Sequence, residues 1–263
     1  MKKNLSIIMP VFNEVDRLPD TFEKIQKWLE KKPSDIKLDI NLIDDGSTDG
    51  TIDFLSNFKG FEINIFQKKH SGLMSTIFYG FEKVNSDFYI LLAADLPVSL
   101  SFLNEFFQHL DDYDIIQGSR YLGHNLKNVT HNRPIGRTIL STVLSTLFQL
   151  FFRCKVKDPQ IDFKIFNKKV INKIIPYLKL KHDGLKMTEI LIRTYAEDMK
   201  ILEKKTDYSY VNSNRLVPNI NIKELHIFLY TAFSCVFSFF KLVLIYRGEF
   251  RNKKVKKNPL RFL

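Results

Sequence analysis

Along the first 120 positions the apolar residues alternate between short β-branched runs and stretches with a three-to-four-residue period. Residues 5–11 (LSIIMPV) read as a strand, and over residues 14–32 Leu18, Phe22, Ile25 and Leu29 recur at helical spacing. Strand patterns return at residues 38–44 (LDINLID), 61–67 (FEINIFQ), 87–94 (DFYILLAA) and 113–119 (YDIIQGS). Helical patterns fill residues 46–58, where Ser47 or Thr48 is the expected cap, then residues 71–84 and 98–110. Strands separated by such helices predict right-handed crossovers and a mainly parallel sheet covered on both faces. In sheets of this kind ligands bind beyond the carboxyl ends of the strands. Those ends carry Asn13 and Glu14, Asp44 and Asp45, Asp95, and Ser119 and Arg120. The pattern therefore predicts an α/β ligand-binding domain.

Beyond Arg120 the texture changes. Residues 121–137 are polar and basic, 138–156 form an apolar helical pattern, and 185–211 read as a helix followed by one or two strands. Residues 226–246 are again apolar, and a tail rich in Lys and Arg ends the sequence. The 263 residues, 44% of them hydrophobic, suffice for one large domain, and no internal repeat or low-complexity linker is visible. The opening MKKNLSIIMPVFNE turns polar too soon to read as a signal peptide. Cys154 and Cys235 lie far apart in apolar surroundings, as expected of buried thiols in a reducing compartment.

A formal charge of +11 asks for an acidic partner. Nucleic acid is set aside because no recognised binding module accompanies the charge. P-loop and GxGxxG glycine patterns are both absent, which excludes the common NTPase and dinucleotide designs. His124 and His131 share one loop with no paired cysteine and no HExxH helix, so a zinc site is not expected.

Five segments, SIIMPVFNEVDRL, NLIDDGSTDGT, GLMSTIFYGFEKVNSDFYILLAADLP, GSR and KDPQIDFKIFNKKVI, occur in the order seen in glycosyltransferase family 2. The chain most resembles that family's dolichyl- and polyprenyl-phosphate hexosyltransferases, from about Leu5 to Pro218, with NSNRLVP similar to a late family segment. The resemblance implies a GT-A fold. Residues 1–120 would form the nucleotide-sugar-binding half, 121–218 the acceptor half, and 219–263 a membrane-associating helix with its basic tail. It also implies an inverting hexose transfer from a nucleotide sugar, UDP-glucose ahead of GDP-mannose, to dolichyl or polyprenyl phosphate at the cytosolic membrane face.

By the same resemblance Pro10, Phe12, Glu14, Asp45, Gly72 and Asp95 would contact the nucleotide sugar. Asp95, Asp158 and Arg120 would be catalytic, and Arg133 and Arg137 would face the acceptor phosphate. Glu189 matches a family glutamate of structural character. The family's metal-binding DADLQ reads here Ala93-Ala94-Asp95-Leu96-Pro97, so one acid remains to hold Mg²⁺ or Mn²⁺. Asp162 stands where the family pattern has glycine. The depleted metal motif leaves two alternatives open, a saccharide-directed transferase and a non-catalytic nucleotide-sugar or lipid-binding descendant.

Residues 226–246 are long enough to span a bilayer, since about 20 residues do so. A single span, however, would place the catalytic half and the basic tail on opposite sides. An interfacial helix, with the tail on anionic headgroups, is the expected arrangement.

Overall fold

The computed structural model describes residues 3–123, 135–152, 154–180, 185–209 and 233–246. In chain order its first elements are β1 (Asn4–Val11), α1 (Leu18–Leu29), β2 (Lys37–Asp44), α2 (Thr51–Asn57) and β3 (Asn64–Gln67). Next come α3 (Leu73–Lys83), β4 (Phe88–Leu91), α4 (Ser101–Phe106), β5 (Ile115–Ser119) and α5 (Ile135–Phe152). β6 (Lys164–Asn167), α6 (Lys168–Lys173), α7 (Lys186–Ala196) and β7 (Ile201–Lys205) follow, and residues 233–246 are helical. The chain divides into two compact units, Met1–Gln117 with Asp162–Pro176, and Gly118–Ile161 with Tyr177–Leu263.

In the first unit the strand order is β3-β2-β1-β4-β6-β5. The first four strands are mutually parallel, as the alternating pattern predicts, whereas β6 runs antiparallel to both β4 and β5. Central β1 is sealed on both faces, with Leu5, Ile7, Ile8 and Met9 all at 0% exposure, which explains its unbroken apolar run. Helix α1 buries Leu18, Phe22, Ile25 and Trp28, and Phe22 meets the ring of Phe58 at 4.5 Å. Helix α3 lies so close to the sheet that a Cβ on Gly80 would come within 2.8 Å of the Ile8 side chain. Glycine is the residue that permits this approach.

One local expectation fails. The cap of α2 is Gly50, at φ 90°, rather than Ser47 or Thr48. The Ser47 hydroxyl instead accepts from the Asn13 backbone N–H at 2.9 Å, and the Thr48 N–H donates to Asn13 Oδ1 at 2.8 Å. Both residues are spent on lacing the loop after β2 to the loop after β1.

In the second unit the Thr206 N–H, just beyond β7, donates to the Ser119 carbonyl at 3.2 Å. Helix α5 turns Leu144, Phe148 and Phe152 inward. Helical residues 233–246 bury Ser238, Phe239, Leu242 and Tyr246. The Tyr246 hydroxyl donates to Glu189 Oε1 at 2.6 Å, and Glu189 also accepts from the Lys179 and Leu180 N–H groups at 2.6 and 2.9 Å. Glu189 thus fastens the last described helix to the start of α7. Burial, then the Glu189 contact, pushes the Tyr246 phenol well above its ordinary value. Cys154 is buried, which pushes its thiol up to about 12, while Cys235 is half-buried. No helix among the described residues is long and apolar enough to cross a membrane. Residues 226–232 of the expected helix lie outside the described residues.

Candidate active site

The carboxyl ends of β1 and β4 open onto a cavity of about 170 Å³ in the first unit. Its wall includes Pro10, Glu14 and Arg17 from the end of β1, Leu73 and Ile77 from α3, residues 91–95, and Asp162. The acid of residues 91–95 is presented by a tight turn. Leu96 N–H donates back to the Ala93 carbonyl at 3.1 Å, and Leu96 takes a positive φ of 42°. A non-glycine residue seldom adopts that conformation. The turn brings Asp95 to the cavity wall instead of letting the strand continue.

The β1 side is braced in the same way. Glu14 N–H donates to Thr51 Oγ1 at 2.9 Å, and the Glu14 carboxylate pairs with Arg17 at 2.6 Å. Phe12 stays 38% exposed and packs on the His70 ring, centroids 4.4 Å apart. An exposed aromatic pair at a strand end offers a flat apolar surface to a planar base.

Asp45 organises the turn before α3. Its carboxylate accepts from Lys68 Nζ at 2.8 Å, Ser71 N–H at 3.0 Å and Gly72 N–H at 2.9 Å, with His70 Nδ1 at 2.9 Å. Gly72 sits at φ 92°, where a side chain would be strained. Burial alone would raise the Asp45 carboxyl, but the hydrogen bonds from Lys68, Thr76, Gly72 and Ser71 outweigh it and hold the carboxyl below its ordinary range. A depressed carboxyl adds stability above its unfolded value, about 3.9, and loses that contribution as pH falls through the folded value. Asp45→Asn is therefore expected to flatten the acid limb of the stability profile below about pH 4. At neutral pH it should cost about 1–3 kcal/mol, the usual penalty for a disrupted buried hydrogen-bond set. Urea unfolding as a function of pH checks both, and an unchanged acid limb would remove Asp45 from this role.

Arg120 and Asp158 meet in the second unit. Arg120 Nε and one terminal nitrogen donate to the two Asp158 oxygens at 2.7 Å each, and the Arg120 N–H adds a third bond at 2.9 Å. Asp158 is 1% exposed and Arg120 8%. The guanidinium also lies over the rings of Tyr121 and Tyr208, at 5.5 and 5.2 Å. Beneath the pair, Glu203 accepts from the Lys157 and Asp158 N–H groups at 2.8 and 2.7 Å. Burial raises the Glu203 carboxyl above its ordinary value, and the nearby Asp158 charge adds to that. Arg133 lies outside the described residues, and Arg137 falls in the first turn of α5, where only the backbone is described.

The model of the Glycosyl transferase family 2 family matches residues 6–175, which contain every element of this geometry except Tyr208 and Glu203. The chain belongs to glycosyl transferase family 2. It is a glycosyltransferase with the α/β GT-A fold. It is 26% identical over 231 residues to the dolichyl-phosphate beta-glucosyltransferase of Dictyostelium discoideum, covering 81% of this chain and 69% of that protein. A dolichol-phosphate mannosyltransferase of Pyrococcus furiosus is 25% identical over 195 residues, 72% of this chain and 52% of that protein. Among solved structures, glucosyl-3-phosphoglycerate synthase from Mycobacterium tuberculosis in complex with UDP superposes with TM-score 0.62 at 12% identity, over 92% of this chain and 80% of that one. The same synthase with Mn²⁺, UDP-glucose and glycerol 3-phosphate superposes with TM-score 0.59 at 12% identity, over 90% and 80% of the two chains.

Of the sequence-derived candidates, this family 2 chain brings Pro10, Glu14 and Asp95 to one cavity, joins Asp45 to Gly72, and joins Arg120 to Asp158. Motif reasoning passed over Arg17, Lys68, His70 and Glu203. Lys68 and His70 were within reach, because they directly follow the carboxyl end of β3. Glu203 sits inside a strand with lysines after it and gives no local signal. Asp162 was visible as a departure from the family pattern, but its place in the cavity was not.

Proposed function

We propose that this glycosyltransferase moves a hexose from a nucleotide sugar, UDP-glucose in preference to GDP-mannose, onto a dolichyl or polyprenyl phosphate. The observation that carries the proposal is the cavity beyond β1 and β4, where Pro10, Glu14, Asp95 and Asp162 converge beside the Asp45-pinned turn. The acceptor class follows the relatives named above, which are dolichyl-phosphate transferases.

The chemistry asks little of the protein in proton transfer. A phosphate monoester, with a second pKa of about 6, is already an anionic nucleophile at neutral pH. Its oxygen attacks the anomeric carbon, the bond from that carbon to the diphosphate breaks, and the electron pair leaves on the nucleoside diphosphate. Charge developing on that leaving group is what must be met. The exposed Phe12–His70 pair supports a base-stacking role, and the Ser71–Gly72 turn held by Asp45 leads into Leu73 of the cavity wall.

Mg²⁺ or Mn²⁺ fits the donor set. Asp95, Asp162 and Glu14, the last paired with Arg17, all line the cavity, and carboxylates are hard oxygen donors. Among the described residues no group of three candidate ligands is assembled, so diphosphate oxygens and water must complete the shell. That is the usual way in which a cation with one or two carboxylates is held. When bound, the cation supplies Lewis-acid stabilisation of the departing diphosphate. Arg133 and Arg137 are proposed for the acceptor phosphate, with Arg120 and Asp158 as a positioning pair.

Asp162 favours one competing reading, a saccharide acceptor, because a hydroxyl nucleophile needs a base and this carboxylate lies in the cavity. The test is incubation with radiolabelled UDP-glucose or GDP-mannose and either dolichyl phosphate or soluble saccharides. Label should enter the organic phase from UDP-glucose and dolichyl phosphate. Transfer to saccharides alone would replace the lipid acceptor, and nucleotide binding without turnover on either would leave a binding protein.

A further inference from the structure

The Asp45 carboxylate is filled by donors from the protein itself. A carboxylate offers about four lone-pair positions. Lys68 Nζ and the Ser71 N–H take Oδ1 at 2.8 and 3.0 Å, while the Gly72 N–H and His70 Nδ1 reach Oδ2, each at 2.9 Å. The Thr76 side chain adds a further hydrogen bond, and Asp45 is only 3% exposed. A ligand N–H would have to displace one of these partners to reach it.

His70 carries the contact outward. Its Nδ1 faces two acceptors, Asp45 Oδ2 at 2.9 Å and the Asp45 carbonyl at 3.2 Å, so Nδ1 holds a proton. In the neutral ring Nε2 is then a bare acceptor, and among the described residues it has no hydrogen-bond partner. A carboxylate on the Nδ1 side fixes the tautomer and makes the opposite nitrogen more basic. The His70 side chain is 58% exposed, yet its backbone is closely held. Gly46, at φ 79°, lets the loop after β2 approach until a Cβ there would lie 3.1 Å from the His70 nitrogen. The imidazole plane is tilted 31° from that of exposed Phe12. A planar ligand bonded in the imidazole plane thus keeps nearly the orientation that Phe12 can stack.

We propose that His70 selects the base of the donor, its Nε2 accepting the single imino N–H of uracil while Asp45 sets the tautomer. The inference rests on the donor being a nucleotide sugar, as proposed above. Uracil presents one N–H between two carbonyls, whereas the pairing edge of guanine presents two adjacent donors. A carboxylate can meet two donors at once, but an imidazole nitrogen meets one. With Asp45 occupied and His70 at the surface, uracil is the better match. Asp45 is then a positioning residue that acts on the base through the imidazole.

Isothermal titration with Mn²⁺ present should compare UDP, GDP and UDP methylated at uracil N3. The native protein should bind UDP about tenfold more tightly than either of the others, the scale of one lost hydrogen bond that strands its partner. His70→Phe keeps an aromatic ring beside Phe12 and removes the acceptor. It should lower UDP affinity about tenfold and bind UDP and its N3-methyl form alike. A His70 needed only to hold the Asp45 turn would instead weaken both ligands equally and preserve their ratio. Long-range nitrogen–proton NMR of the native protein at mildly alkaline pH gives a readout that needs no variant. It should show a proton on Nδ1 and none on Nε2, with the Nε2 resonance moving when UDP is added. Three results would overturn the inference: native protein that binds UDP and N3-methyl-UDP alike, His70→Phe that keeps the native ratio, or GDP bound more tightly than UDP. Each of these leaves a nucleotide-binding protein, whereas no binding of any of the three ligands would overturn the donor reading as well.

Discussion

Asp158→Asn is expected to destabilise the protein by about 3–5 kcal/mol, the cost of leaving a buried charge without its partner. Arg120 would keep its guanidinium in a site where it is 8% exposed, facing an amide in place of two carboxylate oxygens at 2.7 Å. The loss reaches further than one pair. The Asp158 backbone is itself held by Glu203, so the segment around Lys157 and Asp158 is anchored by two acids from different parts of the second unit. Replacing Arg120 and Asp158 together by apolar residues of similar volume should cost less than Asp158→Asn alone, because no unpaired charge remains. Urea unfolding of the two single variants and the double variant measures the difference. A single-variant loss below about 1 kcal/mol would mean that solvent reaches the pair and that it behaves as a surface ion pair. Chemistry is separable from stability in the same series: a folded Asp158→Asn enzyme with normal KM and collapsed kcat would put the carboxylate at the reacting atoms.

The parallel part of the fold was legible because its signals are local. Buried runs such as residues 5–11 and helical spacing from Leu18 onward each specify an element without reference to the rest of the chain. The antiparallel β6 was not, since KIFN is four residues long and its position between β4 and β5 depends on residues more than 40 positions away. The α2 cap misled for a related reason. Ser47 and Thr48 are good caps by residue type, but their partners on Asn13 came from another loop. The site divides along the same line. Asp95 at a strand end could be read from the sequence, whereas the enclosure of Asp45 by Lys68, Ser71 and Gly72 needed the fold to bring the turn back. Residues 226–246 read simply as apolar, and only burial separates the two faces of the described part, with Phe233, Phe237, Phe240 and Leu244 outward and Phe239, Leu242 and Tyr246 inward.

Asp95→Asn should have the largest effect on turnover, a fall of about 10²–10³ in kcat at saturating donor, the range found when one group that stabilises developing charge is removed. The magnitude follows from scarcity. Ala93 supplies no carboxylate at the position two residues before Asp95, so Asp95 has no acidic neighbour in its own turn to replace it. The cavity offers Asp162 as the next acid, from a different segment of the first unit. Asp162→Asn should accordingly weaken Mn²⁺ binding in the presence of UDP by about tenfold, one carboxylate of two being lost. Adding Ala93→Asp to Asp162→Asn should then recover affinity, by restoring a second acid from the other side. Electron paramagnetic resonance of Mn²⁺ with UDP reads these affinities without turnover. Asp162→Asn that leaves Mn²⁺ affinity intact but abolishes transfer would instead identify a base acting on a hydroxyl acceptor. Full activity of the wild-type enzyme in excess chelator would dismiss the cation and leave the leaving group to Arg17, whereas a fully active Asp95→Asn would remove Asp95 as its ligand.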